Sequence, residues 1–130
     1  MARSFDTNIL LRWLFGDVPL QASKVDELIK SGEKFHVADL VFVEMSYILD
    51  SVYEMSREQV IANLRAVMAT ACLICNRTML DSALDYYRDF PKLSFADCCL
   101  AIYARLNGAA PLLTFDKKLA NQVKEAKLLQ

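Results

Sequence analysis

Four acidic residues stand where folding alone gives them little reason to be. Asp6 opens Asp6-Thr7-Asn8, just after Phe5 and ahead of the apolar run Ile9 to Phe15, so it falls at a strand-to-helix junction. Asp116 follows Leu112-Leu113-Thr114-Phe115 and precedes another helical segment, so its setting is the same. In an open parallel sheet such junctions line the ligand crevice. Glu44 has Leu40, Val41, Tyr47 and Ile48 as helical neighbours, an apolar setting in which a carboxylate must reach an edge or find a cation. Asp97 is placed alike, among Leu93, Ser94, Leu100 and Ala101. Carboxylates brought together repel one another unless a cation neutralises them. An all-oxygen set without His or Cys selects a hard ion, Mg²⁺ or Mn²⁺, and Mg²⁺ favours phosphate oxygens as further ligands. Such ions can activate a water and stabilise a leaving oxygen, so the chemistry expected of this set is hydrolysis of a phosphate ester.

Plainer readings compete with that one. Asp6 and Asp116 could each be helix N-caps, worth about 1 kcal/mol apiece. Asp97 follows Ser94 at capping-box spacing, with Asp in place of Glu or Gln. Glu44 lies too far into its helix for that explanation. Other catalytic sets are poorly supplied. His36 is the one histidine, which removes two-His metal triads and argues against Ser-His or Cys-His catalysis. The pair Cys72-Leu73-Ile74-Cys75 has redox or zinc spacing, but it lies inside the apolar run Ala71 to Cys75 and is expected as small core residues of a strand. Cys98 and Cys99 read the same way.

The elements that must position these acids alternate along the chain. A helix is expected over roughly 20–31, with Pro19 at its start and Gly32 at its end. Phe35 to Val37 is a short strand, followed by a helical face of Val41, Met45, Ile48, Leu49 and Val52 with Asp39 as its N-cap. Val60, Ile61, Leu64, Val67 and Met68 mark the clearest helix, which leads into the strand at 71–75. Further helices carry Met79, Leu80, Ala83, Leu84 and Tyr87 before Pro91, and Phe95, Cys98, Cys99, Ile102 and Leu106 before Asn107-Gly108. Leu112 to Phe115 is a strand, and Lys117 to Lys127 is amphipathic. Strands separated by helices favour a parallel sheet with helices on its faces.

With 130 residues, 55% of them hydrophobic, the chain can bury one sizeable core, and a single domain over 1–130 is expected. The 15 basic and 16 acidic residues give a net charge of −1, so a polyanion would have to be held locally. No apolar run approaches a membrane span, Arg3 and Asp6 interrupt any leader-like stretch, and four embedded cysteines suggest reduced thiols, so a cytoplasmic protein without membrane contact is expected.

Taken in order, Phe5-Asp6-Thr7-Asn8, Val43-Glu44-Met45, Leu93-Ser94-Phe95-Ala96-Asp97 and Leu113-Thr114-Phe115-Asp116-Lys117-Lys118-Leu119 resemble the PIN-domain ribonucleases, in particular the VapC-like toxins of bacterial type II toxin-antitoxin modules. The likeness spans the whole chain, and the order and spacing of the pieces carry it. It implies a three-layer α/β/α sandwich around a mostly parallel sheet of four to five strands. It implies further that Asp6, Glu44, Asp97 and Asp116 gather around Mg²⁺ or Mn²⁺ to cut RNA, with Asn8, Ser94 and Thr114 supporting them. Arg3 and Ser4 make the first strand less apolar than is usual in such proteins, and Asp39 stands where a small hydroxylated residue is more common. Arg3, Arg12, Lys117 and Lys118 are the candidate RNA contacts, or else ordinary solvated surface. An antitoxin covering the grooves between the early helices, and a homodimer, are the partners implied. Two alternatives remain at this point: a PIN-like interaction module without catalysis, and a haloacid-dehalogenase-like phosphatase, which would want an Asp where Asn8 stands.

Overall fold

A computed structural model of the chain describes residues 2–130; Met1, at the head of the expected first strand, lies outside them. The chain divides into two compact units, residues 1–76 and 77–130. In the first, the order is β1 (Arg3–Phe5), α1 (Thr7–Phe15), α2 (Pro19–Lys30), β2 (Phe35–Val37), α3 (Asp39–Ser51), α4 (Arg57–Met68) and β3 (Leu73–Ile74). The strands form a parallel sheet in the order β1-β2-β3, with Arg3 opposite Phe35 and Phe35 opposite Leu73. Helices α1 and α2 pack together, as do α3 and α4, and α1 also packs on α3. Of the positions the apolar periodicity singles out, Val41, Met45, Leu49, Val60 and Leu64 are buried, whereas Val52, just past the end of α3, is exposed and Phe42 is buried in its stead. Phe5 stacks on Phe35 across the strand pair, ring centroids 4.3 Å apart.

The second unit runs α5 (Arg77–Asp89), α6 (Phe95–Leu106), β4 (Leu112–Thr114), α7 (Lys117–Gln122) and β5 (Ala126–Leu128). Its strands pair in parallel, and α5 packs along α6 over buried Met79, Leu84, Phe95, Cys98 and Ile102. The whole is an α/β chain of parallel strands and intervening helices. Where one sheet of four to five strands is expected, the described residues form five parallel-paired strands, hydrogen-bonded as a three-stranded and a two-stranded sheet. Among the described residues, no helix is long and apolar enough to cross a membrane.

Local signals account for most boundaries. Pro19 starts α2, Gly16 closes α1 at φ 60°, and Ser56 and Gln59 form a reciprocal capping box at the head of α4. Three expectations need correction. Asp39 is the first residue of α3 rather than its cap; Ala38 occupies the cap position in extended backbone and has no side-chain acceptor. Cys72 and Cys75 are half-buried residues flanking a two-residue strand, not core residues within a longer one. Because Leu73 and Ile74 are extended, the two Cα atoms stand about 10 Å apart, beyond the ~7 Å limit for a disulfide, so the spacing is not a redox pair. The amphipathic segment 117–127, expected as a single stretch, divides into helix α7 and strand β5. It leaves helical geometry at Val123 (φ −120°, ψ 138°) and then pairs with β4.

One buried ionic group had no sequence signal. Glu125, 4% exposed, accepts hydrogen bonds from Tyr86 Oη at 2.7 and 2.9 Å and from Arg105 Nη1 at 3.1 Å. The turn before β5 is thereby tied to α5 and α6. Partial burial and the adjacent Glu125 carboxylate push the Tyr86 phenol up to about 12. The unfolded phenol ionises near its ordinary value of 10, so stability should fall as pH rises from 10 towards 12, and Tyr86→Phe should flatten that decline in melts across the range. Glu125→Ala, which strands Tyr86 and the half-exposed Arg105, should cost about 2–3 kcal/mol by urea denaturation.

Candidate active site

Every helix opens with backbone N–H groups that lack intrahelical acceptors, whether it follows a strand, as α1 and α7 do, or another helix, as α6 does. Three of the four acids meet that need. Asp6, at the end of β1, accepts from Ile9 N through Oδ1 at 3.0 Å. Asp116, after β4, accepts from Lys118 N and Leu119 N, again through Oδ1, at 2.9 and 3.3 Å. Asp97 accepts from Ser94 N through Oδ2 at 3.4 Å while its own N–H donates to Ser94 Oγ at 3.1 Å, a capping box with Asp in the acidic position. The capping reading is therefore correct for all three, and it is incomplete. Each cap uses one carboxylate oxygen, and the other makes no hydrogen bond among the described residues.

Of the two settings open to Glu44, an edge or a paired cation, the structure shows the edge. Glu44 is exposed, and its neighbours Leu40 and Tyr47 are exposed with it. The buried stripe of α3 runs through Val41, Phe42, Met45, Ser46 and Leu49, so Glu44 lies off that stripe and pays no burial cost. The helix is apolar on more than its buried stripe, and neighbour types at helical spacing could not tell the two sides apart. Glu44 makes no hydrogen bond or ion pair among the described residues.

In the first unit, Asp6 and Asn8 share a concavity of about 410 Å³ between α1 and α2, floored by Ile9, Val25 and Leu28 and edged by Arg12, Gln21 and Lys24. Gln21 and Lys24, one helical turn apart on α2, were not anticipated, although their spacing could have shown them on one face. Asp39 lines a different concavity, with Ser4 and His36. In the second unit, Ser94 is bonded to Asp97, and Thr114 Oγ1 accepts from Asp116 N at 2.9 Å, so both supporting residues touch the acid they were paired with. Among the described residues, no three His, Cys, Asp or Glu side chains are gathered as a metal-holding group. The donor set itself, carboxylates each with an open oxygen and no sulfur or imidazole, suits a hard divalent ion.

The four cation candidates separate into two kinds. Arg3 is held by Glu33 through two hydrogen bonds of 2.7 and 2.8 Å, and Arg12 by Gln21 at 3.0 Å and Asp17 at 3.2 Å. Lys117 and Lys118 are exposed and form no ion pair among the described residues.

The two uses of each capping acid can be separated by substitution, because Asn caps a helix as well as Asp does. Asp6→Asn should leave the urea midpoint unchanged, whereas Asp6→Ala should lose about 1 kcal/mol. Equal losses would mean that α1 depends on the charge rather than on the accepted hydrogen bond.

Residues 4–125 match the PIN domain, a stretch that passes through both units and contains all four acids. No curated protein matches the chain. The match agrees with the alternation of helices and parallel strands, and it displaces the phosphatase alternative. The chain belongs to the PIN domain family, a nuclease fold whose members act on nucleic acids and generally use divalent metal ions.

Proposed function

We propose that this chain is a Mg²⁺- or Mn²⁺-dependent endoribonuclease hydrolysing RNA phosphodiester bonds, acting as the toxin of a toxin-antitoxin pair in the cytoplasm. The observation that carries the reading is that the family match contains Asp6, Glu44, Asp97 and Asp116, each with an oxygen the fold does not use. In this reading those four residues hold the ion, and the chain acts as one PIN domain from end to end. The ion, when bound, supplies charge neutralisation at the phosphate and acidifies water. The residues around the acids have a mechanical task. Ser94 and Thr114 fix the rotamers and backbone of Asp97 and Asp116, so an open oxygen is presented without further ordering. Asn8, the second residue of α1 and beside Asp6 in the same concavity, offers an amide to a substrate oxygen. Lys117 and Lys118 supply local positive charge in a chain of net −1.

The apolar floor between α1 and α2 supports an antitoxin segment there, and the exposed Leu40 and Tyr47 on α3 support a second copy of the chain as a further partner. Protein purified free of inhibitor should cleave RNA with Mg²⁺ or Mn²⁺ and stop on chelation. Asp6→Asn and Asp97→Asn should lower kcat by at least a hundredfold with melting temperatures unchanged. Cleavage that continues in chelator, or that survives both substitutions, would remove the proposal. A folded wild-type protein with no cleavage and no response to the ion would favour the non-catalytic module.

A further inference from the structure

One face of the β4–β5 pair is turned to solvent. The register sets Leu113 opposite Lys127, so their side chains share a face; Phe115, the bend residue directly after β4, and Leu129, directly after β5, border that pair in the chain. Pairing continues past β5, since Leu129 N donates to Thr114 O at 2.8 Å. All four residues are exposed, Phe115 at 77%. A ring so exposed adds little to the core, yet its backbone is held on both sides. Thr114 Oγ1 accepts from Asp116 N, and Asp116 caps α7. The charge of the segment is one-sided. Lys117, Lys118, Lys124 and Lys127 are exposed and form no ion pair among the described residues, while Glu125 is buried against Arg105.

We infer that the exposed face of β4–β5 is the platform for an unpaired RNA strand, with a nucleobase stacked on Phe115 and a backbone phosphate held by Lys127. The inference rests on the nuclease reading above and names the form of its substrate. An exposed aromatic ring beside unpaired lysines is the combination that binds single strands, because every base offers a π-face and every nucleotide a phosphate. A base inside a duplex has both faces covered by its neighbours, so a platform of this kind selects unpaired nucleotides. Phe115 is the chain neighbour of Asp116, so the stacked nucleotide would lie beside one of the proposed acids. A second copy seated on the same face would bring Lys127 against like charges, which disfavours self-association there.

The test is fluorescence anisotropy of the full chain, with Ca²⁺ replacing Mg²⁺ to slow cleavage, on a labelled single-stranded RNA and on the same strand annealed to its complement. The wild type should prefer the single strand. Phe115→Ala should weaken its binding roughly tenfold, and Phe115→Trp should retain it. Lys127→Ala should reduce the salt dependence of log K by about 0.7. Melting temperatures of the variants check that the fold is kept. If the wild type binds and cleaves single-stranded RNA but Phe115→Ala leaves both Kd and KM unchanged, the platform is overturned and the nuclease reading stands. If Phe115→Ala instead converts a dimer to a monomer in sedimentation with Kd unchanged, the face belongs to self-association and the inference is likewise overturned. A folded wild type that neither binds nor cleaves RNA removes both.

Discussion

A helix that begins at the end of a parallel strand exposes backbone N–H groups with no acceptors of their own, and something at that junction must supply them. Here the suppliers are Asp6 and Asp116, with Asp97 completing the same task at the head of α6. A carboxylate is more than a cap requires. Ser56 does this work at α4 with a hydroxyl and its partner Gln59. Where an acid is used instead, one oxygen satisfies the helix and the other is left to solvent, with its direction fixed by the bond its twin makes. A short polar side chain that caps and a short polar side chain that reacts are thus the same residue, and the cap is what orients it.

The second unit shows how the surroundings of such a junction are kept rigid. The turn before β5 is anchored by Glu125, whose two carboxylate oxygens share the Tyr86 hydroxyl and accept from Arg105. Strand β4, with which β5 pairs, leads through Phe115 into Asp116 and α7. A buried carboxylate of this kind is costly without partners, and its value lies in specifying one arrangement of the strand pair. Because Glu125 is neutralised inside, the lysines around it face solvent with little opposing charge. A chain with almost balanced charge thereby acquires a cationic segment next to one of its acids.

Much of the architecture could be read from residue order, because the deciding signals are local. Pro19 and Asn107-Gly108 act within one turn of where they stand, and the helices begin or end as they suggest. The junction acids were legible for the same reason. What escaped depends on which side of an element faces the core. For Glu44 the neighbour types left an edge position and a paired cation both open, because α3 is apolar on more than its buried stripe, and only the fold shows that it takes the edge. Glu125 has no local pattern to distinguish it from Lys124 or Lys127; its role comes from Tyr86 and Arg105, distant in the chain. Strand β5 was missed because six residues of helix and three of strand, read together, resemble one amphipathic segment, and only pairing with β4 divides them.

The central claim is that these acids carry a second use beyond the fold. The measurement that meets it most directly is calorimetric titration of Mn²⁺ into the wild-type chain and into Asp6→Asn, a change that keeps the helix cap and removes the charge. The account predicts saturable binding by the wild type and its loss in a variant that melts at the same temperature. Equal binding by both, or none by the wild type, would contradict it.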